Sequence, residues 1–173
     1  EYTRNQIRLL SGIANQVAGA IERSRRYKQL EKQAGQLTTL SEVSQAITSN
    51  LYLEELLQLF VSMVAQTLNY KICTVMLVDR EKNELVLTAT QADNKEYRKK
   101  PNLKVGESVS GLVAENGLTM TVEDVQRSPE YRFPDIAQRA GVRSMASVPL
   151  IVSGEVVAVL NCYTEKIHQF NKE

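Results

Sequence analysis

Few residues in this chain could do covalent or metal chemistry: two cysteines, Cys73 and Cys162, and one histidine, His168, with no tryptophan. One histidine removes most metal centres and most nucleophilic triads, which need several nitrogen, sulfur or carboxylate groups converging on a point. Two cysteines make no disulfide framework and suit a reducing compartment, which gives a cytoplasmic reading. Buried, inert thiols are the expectation for both. His168 reads as an exposed turn residue near the last strand. The basic run Arg23, Arg25, Arg26, Lys28 could touch phosphate, but such a run is more often the solvated face of a helix. Nothing here spells out a nucleophile, a base or a metal cluster, so a non-catalytic chain without a cofactor is expected.

Charge and hydropathy narrow the partners. Lys and Arg number 21 and Asp and Glu 20, so no net field draws in nucleic acid or an acidic membrane. No apolar run approaches the ~20 residues that span a bilayer, so no membrane contact is expected within this stretch. There is no basic-then-apolar leader, and the ends read as those of a piece cut from a longer protein.

The elements that must position any site begin with a long helical stretch, residues 6–51. Leu10, Ile13, Val17, Ile21, Leu30, Leu37 and Ile47 recur three or four apart, or at multiples of that, with charged and amide residues between them. That narrow stripe resembles a coiled-coil seam, and about 45 residues at 1.5 Å each make a rod of roughly 68 Å. A small domain cannot cover such a rod, so the stripe predicts a parallel homodimer. Its spacing tightens near Tyr27 to Leu30, and Thr48-Ser49-Asn50 interrupts it. Leu53, Leu56, Leu57, Phe60, Val61, Val64 and Leu68 then form a wider apolar face, a helix over 53–68 packed on its own domain.

Strands follow. Ile72 to Val78 is rich in β-branched residues, and Glu84 to Gln91 alternates, so the two should pair antiparallel across a polar turn. Residues 93–104 are polar and read as a loop. Ser108 is the expected N-cap of a short helix to Glu115, closed by Gly117 in a left-handed conformation. A strand over 119–122 comes next. Ser128-Pro129-Glu130 reads as a helix start, and 135–140 as another short helix ended by Gly141. The last hairpin is 143–152 and 155–164, with Pro149 marking a bulge or an unpaired site. Strands joined mainly by hairpins predict an α+β domain over 51–173, with a central antiparallel sheet and helices on one face. A connector and dimerisation helix over 1–50 precedes it.

Several motifs resemble those of the GAF family, a GAF/PAS-like fold. Leu103-x-Val105-Gly106-Glu107-Ser108-x-x-Gly111-Leu112-Val113-Ala114 is similar to the family's loop and helix over its pocket. Asn116-Gly117 followed by Thr121-Val122-x-Asp124-Val125 resembles its turn. Gly141 to Leu150 and Gly154 to Leu160 resemble its two closing strands. The chain also starts on Tyr2-Thr3-Arg4-Asn5 and ends on Phe170-Asn171-Lys172-Glu173, two similar patterns that in the family open the helix leaving the domain. On that resemblance, residues 6–26 would leave a preceding GAF domain and about 27–50 would lead into this one, as in a tandem array.

The resemblance also supplies chemistries to weigh. Bilin attachment would need a pocket cysteine, commonly beside a histidine, and neither cysteine neighbours His168. Cyclic-nucleotide binding resembles an Asn-Lys…Phe pattern; here Asn161 and Phe170 fit but Cys162 stands in place of the lysine, and Asn161 is more simply a strand-end hydrogen-bonder. The cysteines do not match the loop positions of GAF-type methionine sulfoxide reductases. Cys73 and Cys162 would lie on neighbouring strands, where a redox pair needs a permissive geometry. Nothing in the spacing gathers a Cys/Asp/Tyr/Arg iron set. A mostly apolar pocket remains, with Met76 or Leu77, Val109, Leu112, Met120, Met145, Ser147 and Asn161 as lining candidates, although such a stripe is more often plain core. The resemblance thus implies a sensory or regulatory module of a bacterial signalling protein. It would bind a small molecule or relay a signal through a helical dimer to an output such as a histidine kinase. The alternatives are a ligand-free structural dimerisation module and the regulatory domain of a diguanylate cyclase.

Overall fold

The computed structural model describes residues 16–26, 41–93 and 95–170. Residues 16–26 form a helix, α1. Ser41–Leu68 forms α2, 28 residues without a break, so Thr48-Ser49-Asn50 does not interrupt it and the helix crosses the expected boundary at residue 50. Propensity costs at three polar positions are a few tenths of a kcal/mol each, small beside the apolar face that follows. That face is Leu57, Phe60, Val61, Val64 and Ala65, all buried. Asn69, at φ 55°, ends the helix in the left-handed region.

The sheet is built from β1 (Ile72–Asp79), β2 (Glu84–Thr90), β3 (Leu103–Lys104), β4 (Met120–Val122), β5 (Ser144–Val152) and β6 (Glu155–Thr164). Every pairing is antiparallel, and the order across the sheet is β3-β2-β1-β6-β5-β4. Three short helices join these strands: α3 (Lys95–Arg98), α4 (Ser108–Asn116) and α5 (Pro134–Ala140). The polar stretch 93–104, read as a loop, therefore holds a helical turn and a two-residue edge strand.

Helices cover both faces of the sheet, not one. Cys73 and Val75 on β1, with Ala158, Leu160 and Cys162 on β6, pack under α2. The alternate residues Ile72, Met76, Val159 and Tyr163 belong to the clusters on the other face, with Val109, Val113 and Ala137 of α4 and α5. The physical reason lies in the central strands. β1 and β6 are apolar on both sides, and a strand of that kind needs a layer on each.

α1 packs beside α2. Ile21 is 1% exposed and joins the cluster of Leu57, Phe60 and Val61, while Val17 packs partly buried against it. Two residues assigned to the dimer seam thus serve this chain's own core. Leu10, Ile13, Leu30 and Leu37 lie outside the described residues, and Ile47 is on α2. Arg25, read as part of a solvated face, sends Nη2 to the carbonyl oxygens of Val78 and Val157, at 3.5 Å each.

Three local expectations change. Glu107, not Ser108, is the N-cap of α4, and it makes no side-chain capping bond; Ser108 itself sits at φ 63°. Gly117 closes α4 as expected, its N–H donating to the Val113 carbonyl. Ser128-Pro129-Glu130 is a turn, with the Ser128 N–H on the Asp124 carbonyl, and the proline that opens a helix is Pro134. Pro149 is paired in register with Val159, and the register shift comes one residue later, between Leu150 and Ile151. β4 pairs only with Met145 to Ser147, so by Pro149 the other side of β5 is open and a missing N–H costs little there.

Candidate functional site

On the face opposite α2, β1 and β6 present Thr74, Met76, Asn161 and Tyr163 as the floor of a pocket. The first turn of α4, Ser108 to Ser110, stands on one side. Tyr97, Lys100 and Pro101 close a second side, and Tyr131, Arg132 and Phe133 a third. The space in which a water-sized sphere can centre itself is small, about 20 Å³.

The floor is held by a polar knot. Asn161 is 1% exposed; its Oδ1 accepts from Ser110 Oγ at 3.0 Å and from Ser147 Oγ at 2.7 Å, and its Nδ2 donates to Thr74 Oγ1 at 3.4 Å. One amide therefore ties β1, β5, β6 and α4 together. A carboxamide suits this place because it accepts and donates at once without a charge to desolvate.

Above the knot sit aromatic rings around an ammonium. Lys100 Nζ is 3.6 Å from the ring centroid of Tyr97, 5.3 Å from Tyr131, 5.4 Å from Tyr163 and 5.9 Å from Phe133. It also donates to the Tyr131 hydroxyl at 2.8 Å. Tyr163 meets Tyr97 and Tyr131 edge to face, at 5.8 and 6.3 Å. Lys100 is half-buried as a residue, its ammonium lies among the rings, and burial pulls the amine down to about 7. Burial likewise pushes the Tyr97 and Tyr131 phenols well above their usual value.

Of the eight lining candidates read from the sequence, Met76, Val109 and Asn161 line the pocket. Leu77 packs with the α2 cluster, on the opposite face. Met145 is fully buried in the core and Met120 packs against two core clusters. Leu112 is half-buried on α4 without lining the pocket, and Ser147 lies beneath it, bonded to Asn161. Asn161 is thus the centre of a side-chain network, not a strand-end residue. The tyrosines and Lys100 went unread because Tyr97 and Lys100 lie in a polar run and Tyr131 follows a turn. Two of the seven tyrosines, Tyr97 and Tyr131, stand close in sequence to Lys100 and to Phe133, and only the fold brings these pairs and Tyr163 together.

The cysteines sit on the other side of the sheet. Cys73 and Cys162 are directly opposite across β1 and β6, with sulfurs 3.5 Å apart, buried in the α2 cluster. Their mutual hydrogen bond, and then burial, push the Cys73 thiol far above its usual value. A thiol without thiolate is a poor nucleophile. Both thiols should resist a colorimetric thiol reagent in the folded protein and react as a pair once urea unfolds it; prompt reaction of either in native buffer contradicts this placement. His168 is half-buried; its ring meets Phe170 at 4.9 Å and its backbone N–H donates to Ser144 Oγ at 2.7 Å. Among the described residues, no three His, Cys, Asp or Glu side chains could hold a metal, and no helix is long and apolar enough to cross a membrane.

An antiparallel sheet with a pocket under a short helix is the arrangement the sequence motifs led us to expect, and a family model for the GAF domain matches residues 50–173. This chain belongs to the GAF family. The GAF domain is 30% identical over 138 residues to the methyl sulfide methyltransferase-associated sensor of Methanosarcina acetivorans, across 76% of this chain and 14% of that protein. The chain thus spans about a seventh of that relative's length. Among solved structures, the GAF domain of a phosphoenolpyruvate-protein phosphotransferase from Coxiella burnetii superposes with a TM-score of 0.61 at 28% identity, over 69% of this chain and 71% of that one. Free methionine-R-sulfoxide reductase from Neisseria meningitidis, in complex with its substrate, superposes at 0.58 with 25% identity, over 69% and 66%. The GAF fold therefore occurs in a sensor, in a phosphotransferase and in an enzyme. The fold alone does not choose among these roles.

Proposed function

We propose that this GAF domain is a non-catalytic sensory module that takes a small molecule into the pocket beneath α4. It would relay occupancy through α1 and α2 to an output elsewhere in a signalling protein. The observation that carries this reading is the lining itself. Rings, aliphatic side chains, hydroxyls, one amide and two bases face the cavity, while both thiols are buried under α2. That set can bind and orient a ligand but offers no activated thiol for a reductase reaction. The sensor among its relatives supports the same direction. A histidine kinase is the output we favour, with a diguanylate cyclase next, and the cytoplasm is the compartment. The test is a panel of small metabolites read by melting temperature, since a ligand at a hundredfold its Kd stabilises by about 2.7 kcal/mol. A panel that shifts nothing favours a ligand-free structural module.

The relay would run through a parallel homodimer. Tyr52, Leu59 and Met63 on α2 are exposed at 63, 63 and 64%, at spacings of seven and four that place them on one stripe. Leu59→Glu with Met63→Glu should give a monomer by light scattering without loss of folded signal. An unchanged dimer refutes this stripe as its interface, and a wild-type monomer refutes the dimer. Val17 and Ile21 cannot serve this test, because a charge there would strike the domain's own core.

A further inference from the structure

The ring cluster at the pocket holds an ammonium that belongs to the chain itself. We propose that Lys100 is a removable plug in an aromatic cage, and that the natural guest is a small organic cation, of the quaternary or methylated ammonium class, which takes the place of the Lys100 ammonium. This rests on the pocket reading above and narrows it to one ligand chemistry.

Four observations carry it. The ammonium lies over the Tyr97 ring, with three further ring centroids inside 6 Å. An aromatic face is the negative pole of the ring quadrupole, so this point in the cavity attracts cations and repels anions. The rings hold one another edge to face through Tyr163, so the cage has walls of its own when Lys100 leaves. Arg132, the other base on the lining, is drawn to Glu107 at 3.9 Å on the exposed rim, which keeps its charge out of the cage.

Space makes the same demand. With Lys100 inside, little free space is left against the rings, so a guest that is to sit on them takes the place of the lysine. Lys100 follows α3 in a short segment that continues to Pro101 and the two-residue edge strand β3, and the residue is only half-buried. A guest that matches the ammonium replaces the ring contacts that Lys100 gives up. A quaternary ammonium has no N–H, and the Tyr131 hydroxyl then keeps its hydrogen bonds to Tyr97 and Tyr163. A neutral guest of equal shape would recover burial but not the ring–cation attraction.

The experiment compares choline with its uncharged isostere 3,3-dimethylbutan-1-ol by calorimetry and by tyrosine near-ultraviolet dichroism. It is run on the wild-type chain and on Lys100→Ala. Choline should bind Lys100→Ala at least tenfold more tightly than it binds wild type, and at least tenfold more tightly than the alcohol does. Adding Tyr97→Leu to Lys100→Ala should abolish the preference for the cation. If Lys100→Ala fails to fold, the choline-to-alcohol comparison on wild-type protein carries the same test, with the cation again expected to win. Equal binding of both compounds, or of neither, overturns the cage. Sodium acetate and glycine run alongside separate the two levels of the reading. A response to either with none to choline refutes the cation and leaves a ligand pocket standing, whereas silence from all four together with a flat metabolite panel refutes both.

Discussion

Gly111→Ala should cost about 3 kcal/mol, measured as a lower urea midpoint at an unchanged slope. Gly111 is in the middle of α4, where alanine would ordinarily gain about 1 kcal/mol over glycine. Here the sign reverses. A Cβ at this position would fall on the backbone carbonyl oxygen of Lys104, closer than the 3.0 Å that real Cβ atoms respect, with the Gly106 nitrogen 3.3 Å away. The obstacle is backbone and cannot rotate aside. The same contact is bonded, since the Gly106 N–H donates to the Gly111 carbonyl at 3.0 Å and the Glu107 N–H to the Lys104 carbonyl at 3.1 Å. Pushing α4 away would break the seam between that helix and β3, and with it one wall of the pocket. A loss below about 1 kcal/mol would mean that α4 slides freely over β3, contrary to the packing described. Gly106 differs: a Cβ there would meet the flexible end of Glu115 at 3.0 Å, but its φ of 85° is itself costly for any other residue.

Asn161→Leu should be as damaging, at about 3 to 4 kcal/mol, although the two side chains are close in volume. Thr74, Ser110 and Ser147 are buried hydroxyls that share this one amide, and each buried polar group left without a partner costs about 1 to 3 kcal/mol. The decisive feature is non-additivity. Ser110→Ala with Ser147→Ala in the Asn161→Leu background should recover part of the loss, because it removes the stranded donors. If the triple variant is weaker than Asn161→Leu by the full sum of its parts, the hydroxyls were satisfied elsewhere and the knot is not a unit.

The motif Gly106-x-x-x-x-Gly111 was legible as a resemblance long before its reason was. The sequence marked glycine; the structure shows that one glycine admits a neighbouring strand's carbonyl and the other a left-handed turn. Asn161 was legible as a polar residue in an apolar strand. Its partners were not, since they come from positions 74, 110 and 147, on three other elements. The Ser128-Pro129 signal misled because a proline after a serine also begins a turn, and no apolar face follows it to repay a helix. Residues 93–104 misled for the opposite reason. Their charges hid Tyr97, which is fully buried, and Lys100, whose ammonium points inward.

The sequence by itself determined the strands and their hairpin pairing, because alternation and turn chemistry are local. It also determined the glycine helix stops at 117 and 141 and, through its motifs, the family. Tertiary structure decided what local pattern cannot carry. It put helices on both faces, turned Val17 and Ile21 inward to the sheet, set the two thiols back to back away from the pocket, and gathered Tyr97, Lys100, Tyr131, Phe133 and Tyr163 from three separate segments. Periodicity says which side of an element is apolar. Which neighbour covers that side, and which charge is caught inside, depends on contacts between residues far apart in the chain.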